Sequence, residues 1–179
     1  MAWQNELKAL AESRQWDRIC SYALHSIQET DPNVDIVIEA IFLLFSGLVY
    51  GNYGSEKEYR SKSRSLHELF SIANDKFKDN AKYLFFVGFF ITLSEWAFGQ
   101  DDFSLGYQML NKAVERQPDN LLYQWGFNFF TSSPAATQLT EELIQDENTK
   151  GFLLTSGKAG QFIWEQIENA YQSIHRLTF

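Results

Sequence analysis

The sequence predicts an all-α fold of about nine to ten helices stacked as antiparallel hairpins, and three observations carry that expectation. Apolar residues recur at spacings of three and four along nearly the whole chain. No run alternates strictly enough to make a half-buried strand. Stop signals built from Pro, Gly, Asn and Asp punctuate the periodic segments. The 179 residues, 45% hydrophobic and 16% aromatic, suffice for one core without metal or disulfide. The expected organisation is a single all-helical domain, 1–179.

Taken in order, residues 2–13 place Trp3, Leu7, Leu10 and Ala11 on one face, and residues 16–29 do the same with Trp16, Ile19, Cys20, Ala23, Leu24 and Ile27. Thr30-Asp31-Pro32-Asn33 stops that helix and starts the next. Residues 34–50 are apolar nearly all round, the mark of a central helix, and Gly51 to Ser55 is a turn. Residues 56–76 are amphipathic through Tyr59, Leu66, Leu69, Phe70 and Ala73, and Lys78-Asp79-Asn80 breaks them from a second apolar helix, 81–98. Gly99 to Asp102 is a turn ending in a capping acid, followed by an amphipathic helix at 103–116. Gln117 to Asn120 closes it, a helix follows at 121–131, and Ser132-Ser133-Pro134 ends that one. A short helix fits 136–145. Gly151 to Gly160 carries the weakest helical signal, and 161–177 turns Phe162, Ile163, Ile167, Ala170, Tyr171 and Ile174 inward.

Asn33, Asn80 and Asn120 each end a stop signal, at spacings of 47 and 40 residues, a period typical of stacked helical hairpins. Within Asp102 to Asn120, the residues Phe103, Gly106, Leu110, Ala113 and Pro118 follow the spacing of the second helix of a tetratricopeptide repeat, which this stretch resembles. The first hairpin is a weaker match. Cys20, Leu24 and Pro32 fit, Trp16 sits one residue early and Ile27 stands where a small residue belongs. The helices before these do not carry the family's aromatic-Leu-Gly pattern at the right distance. The resemblance is close over that one helix and loose over roughly 100 residues, and it implies a helical-hairpin solenoid or a compact relative of one.

The net charge of -8 argues against a nucleic-acid binder and suits a basic protein partner. The acidity is uneven. Residues 1–50 carry -4 and 101–150 carry -5, with a basic tract (Lys57, Arg60, Lys62, Arg64) between them. Cys20 is alone, which fits a reducing compartment, and Glu6 and Lys8 interrupt the first ten residues, so no secretory signal is expected and a cytoplasmic location is. The apolar stretches 36–50 and 83–98 each hold an acid, Glu39 and Glu95, and fall short of the ~20 residues a membrane span needs.

Tests for chemistry return structural readings. Gly151 to Ala159 superficially suggests a phosphate loop, but five residues separate Gly151 from Gly157 and Ala159 offers no hydroxyl. His25, His67 and His175 are not paired at helical spacing, so no metal site is expected, and nothing calls for a cofactor. Cys20 lies on an apolar face, as a buried structural thiol does. The pairs Asp101-Asp102, Glu141-Glu142, Asp146-Glu147 and Glu165/Glu168 read first as caps and solvated faces rather than as an acid–base site.

The expected function is therefore non-catalytic protein binding. By type alone, with no shared motif, the chain resembles the immunity proteins of bacterial contact-dependent toxin systems. That resemblance implies an inhibitor that plugs the basic cleft of a toxin, nuclease-type in particular. Its expected contact residues are the acids Asp101, Asp102, Glu141, Glu142, Asp146 and Glu147, which would stand in for phosphates. Aromatic anchors are expected from Tyr53, Tyr123, Trp125 or Trp164. The alternative is a tetratricopeptide-like adaptor or chaperone holding peptides in its groove.

Overall fold

The computed structural model describes residues 2–51 and 54–176; Tyr53 lies outside them. It is all-helical. The ten α-helices among the described residues are α1 (Ala2–Glu12), α2 (Trp16–Gln28), α3 (Val34–Val49), α4 (Glu56–Phe77), α5 (Ala81–Leu93), α6 (Ser104–Arg116), α7 (Leu121–Phe130), α8 (Ala135–Ile144), α9 (Glu147–Thr155) and α10 (Gly157–Arg176). No helix among them is long and apolar enough to cross a membrane.

The recurring asparagines are the devices that start the central helices. Asn33, Asn80 and Asn120 take nearly the same backbone conformation (φ -82 to -84°, ψ 101 to 111°), and each accepts a backbone N–H of the helix it opens: Asp35, Tyr83 and Tyr123. Asp146 does the same for α9 at the N–H of Asn148. A side-chain acceptor at this position satisfies a donor that the helix itself leaves unpaired. Counted from their caps, α5 and α7 carry aromatics in the same register: Tyr83 and Tyr123, Phe85 and Trp125, Phe89 and Phe129, Phe90 and Phe130. These rings stack between the two helices, Phe85 on Tyr123 at 4.9 Å and Phe89 on Trp125 at 5.7 Å. Much of the aromatic excess is thus the core of one repeated unit.

Helix pairs pack through small residues. The closest pair, α5 and α6, meets where Gly88 faces Gly106. A Cβ on Gly106 would lie 2.9 Å from the Thr92 backbone nitrogen and 3.0 Å from the Gly88 carbonyl oxygen. On α7, a Cβ on Gly126 would strike the Phe85 ring at 2.6 Å. The basic tract resolves into unlike parts. Lys62 is buried against Glu58 (3.3 Å), the Gly47 carbonyl (3.2 Å) and the Trp16 ring, whereas Arg60 and Arg64 are exposed, paired with Glu56 and Asp17. Cys20 is buried, and burial, followed by the charges of Glu68 and Asp17, pushes its pKa up to about 11, so it stays a thiol.

The chain ends by folding back. α10 packs on α8 and α9 and then on α3, where Phe162 enters a cluster with Phe42 (5.3 Å), Tyr50 (6.2 Å) and Phe90 (6.3 Å). Its start is fixed by Glu39, 4% exposed in the middle of α3, whose carboxylate accepts the backbone N–H groups of Lys158 and Ala159 at 3.0 Å each. Gly157 turns the chain there with φ +83°, and a Cβ at that position would lie 2.5 Å from Glu39 Oε2. The glycine-rich stretch that superficially suggests a phosphate loop is this junction. Gly151 lies inside α9, and the helix N-terminus that could hold an anion holds the protein's own carboxylate.

Two predictions follow from this packing. Gly106→Ala should destabilise the fold by about 1–3 kcal/mol through overpacking, while Gly151→Ala, mid-helix with nothing within 4 Å of the new Cβ, should stabilise it by about 0.5–1 kcal/mol. Urea denaturation of the two variants checks the opposite signs. For Glu39, burial raises the carboxyl pKa above its ordinary value against the opposing pull of the two N–H groups and Lys158. The folded chain therefore binds this proton more tightly than the unfolded chain, so protonation of Glu39 favours folding. The stability of wild type relative to Glu39→Gln should grow as pH falls through the raised folded value toward 4.5. Parallel urea midpoints for both chains across that window measure the trend.

Candidate functional site

Helix α5 does not run to residue 98 as its apolar content predicts. Thr92 donates its hydroxyl to the Gly88 carbonyl, Ser94 leaves helical geometry (φ -161°, ψ 80°), and Glu95–Phe98 forms a single 3-10 turn. Gly99, at φ +69°, reverses the chain, and its N–H bonds the Trp96 carbonyl while that of Gln100 bonds Glu95. This connector is seated on the core. Phe98 is buried between Phe45 (5.7 Å) and Phe70 (5.3 Å), and a His67 ring nitrogen donates to the Ala97 carbonyl at 3.1 Å.

Anchoring Phe98 turns the neighbouring aromatics outward. Trp96 is 47% exposed and Phe103 43% exposed, with Asp101 and Asp102, both exposed, between them. Asp102 accepts the Ser104 N–H at 2.8 Å, and hydrogen bonding from Ser104 holds its carboxyl below the usual carboxylate range. The result is an acidic, aromatic knuckle on a fixed support. It has the chemistry of a contact surface for a basic protein: anions to attract, and rigid amphipathic rings to bury.

The other acids lie elsewhere. Glu141 and Glu142 are exposed on the last turn of α8, with Glu142 accepting from Gln138. Asp146 is a cap, bonding the Asn148 N–H and the Thr149 hydroxyl, which together hold its carboxyl low, and Glu147 pairs with Lys150 at 3.6 Å. Asn148 and Lys82 line one cavity, so this acidic segment sits at the N-terminal end of α5. The knuckle sits at the C-terminal end of α5. Thirteen helical residues separate the two ends by roughly 20 Å. The six acids therefore form two surfaces, not one.

Of the aromatic anchors expected from sequence, the three that the structure describes are buried, and Tyr53 lies outside the described residues. Trp125 is fully buried, with its indole N–H donated to Thr140 Oγ1 at 3.0 Å, and Tyr123 and Trp164 are 4% and 5% exposed. A helix that is apolar on every side has no outer face to read, so its sequence does not say which rings reach the surface. The exposed rings are instead Tyr50, Trp96, Phe103 and Phe152, and of these Trp96 and Phe103 flank the acids at 101 and 102. The cue for them was the helix break at Ser94 beside the acids, hidden by a run of apolar residues continuing to Phe98.

Comparison with protein-family models, with curated proteins and with solved structures finds no match.

The different roles of the acids give a stability test. Asp146→Ala should cost about 1 kcal/mol as a lost cap, whereas Glu141→Lys and Glu142→Lys should stay within about 0.5 kcal/mol. Chemical denaturation of the three single variants separates the capping acid from the two surface acids of α8.

Proposed function

We propose that the chain is a non-catalytic binding protein that captures a basic protein partner. In its sharpest form it is a cytoplasmic inhibitor of the immunity type, neutralising a toxin domain whose substrate-binding face is positive. The observation that supports this is the knuckle, where Trp96, Asp101, Asp102 and Phe103 are presented to solvent from a connector pinned by Phe98. Rings held in place lose little conformational freedom on binding, and acids beside them add long-range attraction to a cationic surface. A peptide-holding adaptor is less well supported. Part of the surface that an open hairpin stack would offer to a peptide is occupied by α10, which packs on α3 with Phe162 against Phe42 and Phe90.

The test is a calorimetric titration of the full chain with the C-terminal domain encoded by the gene immediately upstream. One-to-one nanomolar binding that weakens with added salt is the expected result. Trp96→Ala should reduce affinity about thirtyfold, as for a central aromatic contact worth ~2 kcal/mol. Asp101→Lys should mainly slow association, while Glu141→Lys/Glu142→Lys at the far end should change neither. No heat at micromolar concentrations would remove this partner, and equal effects from both ends would remove the knuckle as the contact surface.

A further inference from the structure

The cations of this acidic chain are concentrated on one face. Residues 14–18 and 56–64 hold six bases against three acids, a net +3 in a chain of net -8. Side-chain contacts bring the two segments together: Arg14 reaches Glu58 at 3.1 Å, and Ser61 and Arg64 reach Asp17 at 2.9 and 3.5 Å. Lys62 is buried within the face, while Lys57, Arg60 and Arg64 line an open cavity of about 660 Å³ with Asp17 of α2 on its other wall. The side chains of Arg60 and Arg64 are 75% and 72% exposed, so their contacts with Glu56 and Asp17 are surface pairs, weak enough for a second anion to share. Lys57 is exposed and has no ion-pair partner among the described residues.

The knuckle is the counterpart of this face. Residues 95–103 hold three acids and no base, a net -3, with Trp96 and Phe103 exposed. Aromatic rings stack on guanidinium planes, so both the rings and the carboxylates of the knuckle suit exposed arginines. The two surfaces are also neighbours. A second, shallow cavity of about 560 Å³ continues along α4 from Arg60 and Arg64 to His67, and His67 is the residue that bonds the connector at Ala97. The step from Arg60 to His67 covers roughly 10 Å of helix. Among the described residues, no ion pair joins Asp101 or Asp102 to these arginines within one copy. Complementary surfaces side by side on one molecule are self-complementary as a pair. A two-fold axis between them lays each on its opposite in another copy, makes both contacts twice and closes the assembly at two. The like net charge of two copies opposes their approach, but with a screening length of about 8 Å the nearest charges govern the contact.

We propose that the chain forms a two-fold dimer in which the knuckle of each copy, Trp96, Asp101, Asp102 and Phe103, seats on Lys57, Arg60 and Arg64 of the other. Such a dimer covers the rings that the partner-binding reading uses, so a basic partner would compete with it. The pairing needs no partner and does not rest on that reading.

The experiment is sedimentation velocity of the full chain at physiological salt, from about 1 to about 300 µM. A reversible monomer–dimer equilibrium is expected, with a dissociation constant on the order of 10 µM, as suits a small polar contact. Asp101→Lys/Asp102→Lys and Arg60→Glu/Arg64→Glu should each raise that constant about tenfold or more, because each leaves like charges facing one another in both contacts. Mixed in equal amounts, the two variants should pair again, since each carries the sign that the other has lost. Trp96→Ala should weaken the wild-type dimer about tenfold. Asp102 also accepts the Ser104 N–H, so if the double variants lose helix by circular dichroism, Asp101→Lys and Arg60→Glu repeat the same crossed mixture. A wild type that stays monomeric throughout, which would leave the arginine face to an acidic segment of another protein, overturns the pairing. So does a dimer that persists in both charge variants, or a pair of monomeric variants whose mixture stays monomeric.

Discussion

The carboxylate of Glu39 decides what kind of helical protein this is. Hairpins of α-helices can stack without limit, each burying one face on its neighbour, and a chain that only stacked would leave an open inner surface. Glu39 sits in the middle of α3, the most apolar helix, and accepts two N–H groups from the first turn of α10. A buried carboxylate without partners is costly, and a buried helix N-terminus without acceptors is a second cost of the same kind. Each offsets the other only if α10 starts at this point on α3. The pair therefore fixes where the chain folds back, and Gly157 is the residue that lets it turn so close to the carboxylate.

Once α10 is fastened, its apolar face has one place to go. Phe162 joins the rings of α3 and α5, and Ile163 and Ile167 are fully buried, so this stretch of α10 becomes part of the core. Surfaces for recognition are then left at the ends of the hairpins and along their outer faces. That geometry is the physical reason for reading the connector after α5 as the contact surface. A connector can protrude without exposing core, provided something holds it, and Phe98 buried between α3 and α4 is what holds this one.

The sequence made the element starts legible because capping is local. An asparagine two or three residues before the N–H it satisfies can be read from the chain alone, and Asn33, Asn80 and Asn120 are where the fold class became visible. The fold-back was not legible. Glu39 and Ala159 are 120 residues apart, and nothing local marks an acid in an apolar helix as a cap for another helix. The same limit hid the true surface aromatics. In α5 and α7 nearly every position is apolar, so periodicity assigns no outer side, and Tyr123 and Trp125 could be sorted only by what packs on them. The break after Leu93 escaped for a related reason. It depends on where Thr92, Phe98 and His67 find partners, not on a residue that refuses helix.

The formal charge of -8 is a sum over the whole chain, whereas a partner meets the acids one surface at a time. Glu39 and Asp146 are spent on helix N-termini, Asp17 on Ser61, Ser65 and Arg64, Asp79 on Lys112 and Arg116, and Glu58 on Arg14 and Lys62. Asp101 and Asp102 differ in having aromatic surface on either side, Trp96 before them and Phe103 after. At about 8 Å of screening length in physiological salt, a cationic partner responds to the nearest charges rather than to the sum. A small group of acids with exposed rings beside it can thus direct an encounter more locally than the same charge spread over the surface.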